Sequence, residues 1–229
     1  MAAATVLLAP TPLAAQALHC PIPRELPRPF IERVPDDEEP VVQPVTGYVL
    51  ALSWSPQYCA GRGGNPRDRL QCADGRFGFV LHGLWPRSAQ GAPRWCAYAR
   101  RLPEEGLRAN LCVSPSVQLI QHQWAKHGTC ATSNPRDYLR ASAKLFATVR
   151  SPDLADRRTL TIDGVKRAFA EANRWLPVSS IGVATTRGDW LIEVKLCLDR
   201  AFRPRACDGY ERGREDWRRV RVRPVAARP

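Results

Sequence analysis

Eight cysteines, at positions 20, 59, 72, 96, 112, 130, 197 and 207, constrain this chain more than any other feature. None falls in a Cys-x-x-Cys pair, so neither a zinc ribbon nor a thioredoxin-type redox pair fits the spacing. An even number at wide intervals predicts up to four disulfides, and with them an oxidising compartment. The first residues agree. Ala2 to Leu18 carries no charge, is rich in Ala and Leu, and contains Ala15-Gln16-Ala17, an A-x-A cleavage pattern. The basic start of such a leader is missing, because Arg24 is the first Lys or Arg. A signal peptide over residues 1–17 with a shortened start accounts for both the pattern and the cysteines; an apolar leader with no targeting role is the plainer alternative. The mature chain is then expected to begin near Leu18 and to be secreted or periplasmic.

From residue 18 to 46 the sequence is dominated by proline, seven of them between Cys20 and Pro44, with an acidic run Asp36-Asp37-Glu38-Glu39. Proline removes backbone donors and fixes φ, which predicts an extended arm pinned by Cys20. Regular structure is expected over residues 47–210. Tyr48 to Trp54 and Phe77 to His82 read as strands, with a Gly/Pro/Arg-rich loop between them. Ser114-Pro115 predicts a helix start with Ser as N-cap, running to about His127 with Gly128 just past its end, and an apolar stripe of Val117, Ile120 and Trp124. Asn134-Pro135 predicts a second helix to about Val149 with Tyr138, Leu139, Ala143 and Phe146 inward. Asp163 to Arg174 predicts a third, carrying Val165, Phe169 and Ala172. Ile181 to Thr186 and Trp190 to Leu198 read as further strands, the latter alternating around Ile192, Val194 and Leu196. Residues 211–229 hold seven Arg against three acids and no apolar stripe, which predicts a flexible basic tail. Short strands interspersed with helices suggest an α+β fold.

A formal charge of +12 among 229 residues favours polyanionic partners: RNA, DNA or an anionic surface. No run reaches the roughly 18 apolar residues of a membrane-spanning helix. No membrane partner is expected.

Three of the four histidines carry the chemistry. His82 ends a strand in Phe79-Val-Leu-His-Gly-Leu-Trp-Pro86, and His122 and His127 bracket Gln123-Trp-Ala-Lys126. One histidine alone reads as a structural hydrogen-bonding residue. Three of four beside tryptophans, with a lysine among them, read as a site. Metal ligation fits poorly, because five residues of α-helix set His122 and His127 about 140° apart and Lys126 would repel a cation. The spacing is also not His-Glu-x-x-His. No Gly-x-Ser-x-Gly elbow, Walker loop or dinucleotide fingerprint occurs. Acid–base catalysis remains. Two imidazoles can hold one proton between them, one as base and one as acid. Lys126 adds fixed positive charge for a phosphorane-like transition state. With no metal to activate water, the nucleophile must come with the substrate, and the ribose 2′-OH selects RNA over DNA.

These two segments resemble the catalytic motifs of the T2 family of secreted endoribonucleases. Leu52-Ser-Trp-Ser-Pro-Gln-Tyr-Cys59 is similar to that family's first strand and loop, and Glu193-Val-Lys-Leu-Cys197 to Cys207 is similar to its last strand and closing disulfide. The resemblance spans about Tyr48 to Asp208. It implies an α+β fold around a central antiparallel sheet flanked by helices and stabilised by disulfides. It also implies a monomeric, metal-independent and cofactor-free enzyme cleaving single-stranded RNA through a 2′,3′-cyclic phosphate, with low base specificity. By motif position His127 would be the general base, His82 the general acid, His122 a phosphate ligand and Lys126 the transition-state cation, with Trp85 lining the base pocket and Trp124 in the core. The resemblance further implies Cys59–Cys72, Cys96–Cys130 and Cys197–Cys207, which leaves Cys20 for Cys112. Two departures stand out. Gln123 occupies a position where many members carry Glu, which implies lowered activity, a shifted pH optimum, or a T2-fold RNA-binding protein with weakened catalysis. Arg87 stands where some members place a base-reading Asp.

Overall fold

The computed structural model describes residues 17–154 and 160–225. The strands are β1 (Ala17–His19), β2 (Gly47–Trp54), β3 (Arg76–Phe77), β4 (Phe79–Arg87), β5 (Leu160–Thr161), β6 (Ile181–Thr185), β7 (Leu191–Asp199) and β8 (Arg219–Val220). The helices are α1 (Ser55–Tyr58), α2 (Glu104–Asn110), α3 (Val117–Gln123), α4 (Thr129–Ala131), α5 (Pro135–Thr148), α6 (Ile162–Ala172) and α7 (Gly209–Arg212). Four strands form one antiparallel sheet in the order β4-β2-β7-β6, and the helices pack around it, the α+β arrangement expected. Leu50 pairs with Leu84 on one side and Leu196 on the other, so all three point to the same face. That face is the main core, where Phe79 meets the α6 Phe169 ring edge-on at 5.2 Å. The opposite face carries Trp85, Gly83, Lys195 and Glu193, in register with Val49, Ala51 and Ser53 of β2.

β7 departs from simple alternation. Ile192 is exposed, but every residue from Glu193 to Leu198 is buried. The strand lies inside the sheet, and the segment after Cys207 closes over the second face, with Gly213 bridged to Val183.

The helix carrying the histidines also differs from expectation. Its N-cap is Ser116, whose Oγ accepts from Leu119 N–H, so Ser114 and Pro115 precede it. It continues past His127 through a π-turn, Trp124–Gly128, into α4. Gly128 keeps right-handed helical angles (φ −62°, ψ −39°) and is not a terminator. Glycine is needed there because a Cβ would strike the Trp124 ring and approach Tyr138 to 2.9 Å. Val117, Ile120 and Trp124 form the expected inward stripe, with Trp124 in the core. In α5, Asn134 caps the helix and Tyr138, Leu139, Ser142 and Phe146 face inward, while Ala143 is only half-buried.

The basic segment after residue 210 is not a flexible tail over its described part. The Glu211 carboxylate is 2 % exposed and held by Arg87 at 2.8 Å and Arg205 at 2.6 Å. β8 pairs with β5, and Arg223 O accepts the Trp54 indole N–H. Arg221 and Arg223 stack on the Trp190 ring at 4.0 and 4.2 Å. Here the arginines serve as packing and pairing groups, which a count of charges does not reveal. Residues 226–229 lie outside the described residues, as does the leader expectation except for Ala17, which pairs with Phe77 in the β1–β3 ribbon.

All four disulfides are present: Cys20–Cys112, Cys59–Cys72, Cys96–Cys130 and Cys197–Cys207. Cys20–Cys112 closes 92 residues, which on a chain-entropy account contributes about 4–5 kcal/mol, against about 3–4 for the shorter loops. Four such bridges fit an oxidising compartment. No helix among the described residues is long and apolar enough to cross a membrane.

Candidate active site

The β2–β4 register holds Ala51 against Gly83 and then Leu52 against Leu81, so His82 is the extra residue of a β-bulge. A bulge re-aims the side chain it carries. The ring turns toward β7, where its Nδ1–H donates to the Glu193 carboxylate at 2.7 Å. Glu193 is itself buried, with Lys195 Nζ 3.9 Å from its second oxygen.

Three residues on, Trp85 stands between two histidines. Its ring lies 5.1 Å from the His82 ring, edge-on, and 5.6 Å from the His127 ring. Its indole N–H donates to Gln123 Oε1 at 2.8 Å. Gly83 makes this packing possible, because a Cβ there would collide with Gln123 Oε1 and sit 2.7 Å from Trp85 Nε1. Gln123 is buried, its oxygen spent on orienting the tryptophan.

His127 lies in the π-turn, where hydrogen bonds span five residues and residues five apart come nearer one side than in an α-helix. His122 itself lies one turn earlier, in α3. Burial pushes the His127 pKa down to about 3, helped by the charges of Lys126, His122, His82 and Arg94. Its Nδ1 is buried without a hydrogen-bond partner. The ring is therefore held as a neutral base among cations.

His122 and Lys126 lie one helical turn apart on the outer side of the same helix. His122 Nδ1 is 3.3 Å from Glu32, and its ring meets the Trp95 ring edge-on at 5.6 Å. Lys126 Nζ donates to Glu38 at 2.6 Å and sits 5.6 Å from the Trp95 ring centre. Both carboxylates belong to the N-terminal arm. Trp95, a non-glycine residue at φ 55°, is pinned by its N–H to Lys126 O at 2.7 Å and by the adjoining Cys96–Cys130 bridge.

The structure thus gathers His82, Trp85, Gln123 and His127 in one cluster, with His122 and Lys126 beside it. Reading the sequence missed Glu193, Trp95, Arg94 and the arm's glutamates. Glu193 had a signal: with Lys195 it is a charged residue inside an otherwise apolar strand.

A model of the Ribonuclease T2 family matches residues 45–163, just over half of the chain. The chain belongs to the ribonuclease T2 family. A probable ribonuclease of Haemophilus influenzae is 37% identical over 123 residues, covering 48% of this chain and 45% of that protein. A ribonuclease of Aeromonas hydrophila is 43% identical over 99 residues, 43% of each chain. This chain therefore spans less than half the length of these curated relatives. Among solved structures, trichomaglin, described as an S-like ribonuclease, superposes with a TM-score of 0.61 at 20% identity, covering 77% of this chain and 97% of its own. RNase NT, solved with 5′-AMP, gives 0.60 at 22% identity, covering 80% and 100%. These structures share the T2 fold.

Proposed function

We propose that this protein is a T2-type endoribonuclease that cleaves single-stranded RNA by metal-independent transesterification with low base specificity. The observation that carries the reading is the pairing of two histidines in opposite electrostatic settings around one tryptophan. His127 is stripped of its proton by burial and neighbouring cations, whereas His82 is held by a carboxylate. The first suits a base and the second an acid. His127 takes the proton of the ribose 2′-OH, and the 2′-oxygen forms a bond to phosphorus. The bond from phosphorus to O5′ breaks, and His82 gives that oxygen its proton. The products are a 2′,3′-cyclic phosphate and a 5′-hydroxyl. Glu193 fixes the His82 ring through Nδ1, leaving Nε2 to face the leaving oxygen. Lys126 and His122 supply positive charge to the phosphoryl oxygens. Trp85 offers a ring on which any base can stack, and Gln123 is the positioning residue for Trp85.

Among the described residues the one grouping of metal-type ligands is Cys197, Cys207 and Glu211, and both its sulfurs are joined in a disulfide. The disulfides further support a secreted or periplasmic location.

A second reading, a T2-fold RNA-binding protein with weakened chemistry, draws on Gln123 bringing no charge to the site. Digestion of a synthetic RNA in EDTA separates the two. The enzyme reading expects cleavage that falls about 100-fold or more in His82→Ala and in His127→Ala. Equal background in all three proteins would establish the binding reading, and cleavage abolished by EDTA would contradict metal independence.

A further inference from the structure

Gln118, His122 and Lys126 recur every four residues and form one polar stripe along α3 and its π-turn. The N-terminal arm runs along this stripe. Phe30 N–H donates to Gln118 Oε1 at 2.7 Å, and the Gln118 amide donates to the Glu32 carboxylate. Glu32 reaches His122, and Glu38 reaches Lys126. Glu38 is held by more than the lysine: the Trp95 indole N–H donates to its second oxygen at 2.8 Å, and Arg94 Nε stands 3.6 Å from it. Val41 then pairs with Arg94 through both backbone bonds, at 2.9 and 3.0 Å. Upstream, Arg101 binds Pro29 O, Arg108 binds the carbonyls of Pro23 and Arg24, and Cys20–Cys112 ties the arm covalently.

A lysine, an indole N–H and a guanidinium around one carboxylate make an anion cradle. Residues 32–39 contain five acids and one arginine in a chain of net charge +12. The cradle lies close enough to His127 for the charges of Lys126 and Arg94 to act on that ring, and the Trp95 ring meets His122.

We infer that Arg94, Trp95 and Lys126, with His122 one turn back, form a phosphate-binding track that leads RNA across the catalytic histidines, and that the arm lies in this track with Glu38 and Glu32 in place of two phosphates. The inference rests on the ribonuclease reading of the same site. It makes the arm an intramolecular competitor. RNA gains the track only when the arm lifts, so apparent affinity falls by the fraction of molecules with the track open.

A 2′-deoxy oligonucleotide offers the same phosphates without the reacting hydroxyl, so its binding reports the track independently of cleavage. Fluorescence anisotropy at low salt is expected to show E32Q/E38Q binding this probe about three- to tenfold more tightly than the wild type, the range of one or two partly exposed ion pairs. R94A added to that variant is expected to weaken binding again. On a dinucleoside phosphate, E32Q/E38Q is expected to lower KM more than it alters kcat. Unchanged or weaker probe binding in E32Q/E38Q would overturn the inference, and would do so even if RNA cleavage were intact. Tighter probe binding without RNA cleavage would instead uphold the track and sink the ribonuclease reading. The unaltered protein provides a second measurement. A saturating deoxy oligonucleotide is expected to abolish hydrogen-exchange protection of the Val41 amide, and protection that survives saturation would equally overturn the inference.

Discussion

A histidine stays neutral in acid only if something keeps the proton off it, and at His127 that is burial, helped by the charges of Lys126, His122, His82 and Arg94. Its pKa of about 3 in the folded chain lies below the ordinary 6.5. The neutral ring is therefore available throughout the range above about 3, and folding is penalised as pH falls from 6.5 toward that value. The acid limb of kcat/KM for a dinucleoside phosphate is thus expected near pH 3, and a limb near 6.5 would contradict the environment described for this ring. Glu193→Gln tests the other histidine. It should lower kcat about tenfold or more on a nucleotide leaving group, yet spare a substrate whose nitrophenyl leaving group needs no proton. A merely structural role would impair both substrates alike. At this scale the sequence was informative where chemistry is written in contiguous motifs. His82, His122, Lys126 and His127 could be proposed from spacing and residue type, and the structure sets His82 and His127 against Trp85 and His122 and Lys126 beside Trp95. Glu193 showed only as a charge in an apolar strand, and its pairing with His82 could not be read, because 111 residues separate the two and only the sheet brings them together.

Elements aim these residues, and here periodicity alone was insufficient. A regular β4 would hold His82 in the sheet's alternation; the bulge turns it to Glu193. Gly128 does not end the helix because it keeps right-handed angles within the π-turn, and its lack of a Cβ leaves room for Trp124 and Tyr138. Helix positions and inward faces were legible because amphipathic spacing is local. Bulges and π-turns were not, since each is one residue of mismatch resolved by tertiary packing. Gly83→Ala should expose this dependence. The added methyl collides with Gln123 and Trp85, which should cost about 1–3 kcal/mol in stability and raise KM, because Trp85 can no longer keep its bond to Gln123. Thermal unfolding and steady-state kinetics would check it, and an unaltered KM would remove Trp85 from substrate binding.

On the scale of the whole molecule, the two terminal segments that composition marks as loose are tied to the body over their described residues, 17–46 and 211–225. The proline arm is anchored by Cys20–Cys112 and by ion pairs into the candidate site, and the basic C-terminal segment is held at its start by buried Glu211 and further along by Asp189 and Trp190. Burial alone would raise the Glu211 pKa, but the Arg205 hydrogen bonds, the Asp208 backbone N–H and the charges of Arg205 and Arg87 outweigh it and hold it low. A carboxylate with a lowered pKa contributes stability that is complete above its ordinary value of 4.5 and lost as pH falls through the lowered one. Glu211→Gln is therefore expected to cost about 1–3 kcal/mol at pH 7, less than a fully enclosed pair because the arginines are partly open to solvent. The deficit should shrink in strong acid, as read from thermal midpoints; a deficit independent of pH would assign the loss to packing. Arg87 illustrates why a motif position need not transfer a role, for its guanidinium is taken up by Glu211. Charge counting saw a tail rich in arginine and could not see that Arg214 and Arg218 pair with Asp189 while Arg221 and Arg223 lie on Trp190.

The central claim is a proton passed from the ribose hydroxyl to His127 and another from His82 to the departing oxygen. Following a dinucleoside phosphate by phosphorus NMR in EDTA tests it most directly. The account predicts a 2′,3′-cyclic phosphate as the first product and no reaction when the scissile ribose is 2′-deoxy. A linear monophosphate formed without the cyclic species, or cleavage of the deoxy substrate, would contradict it.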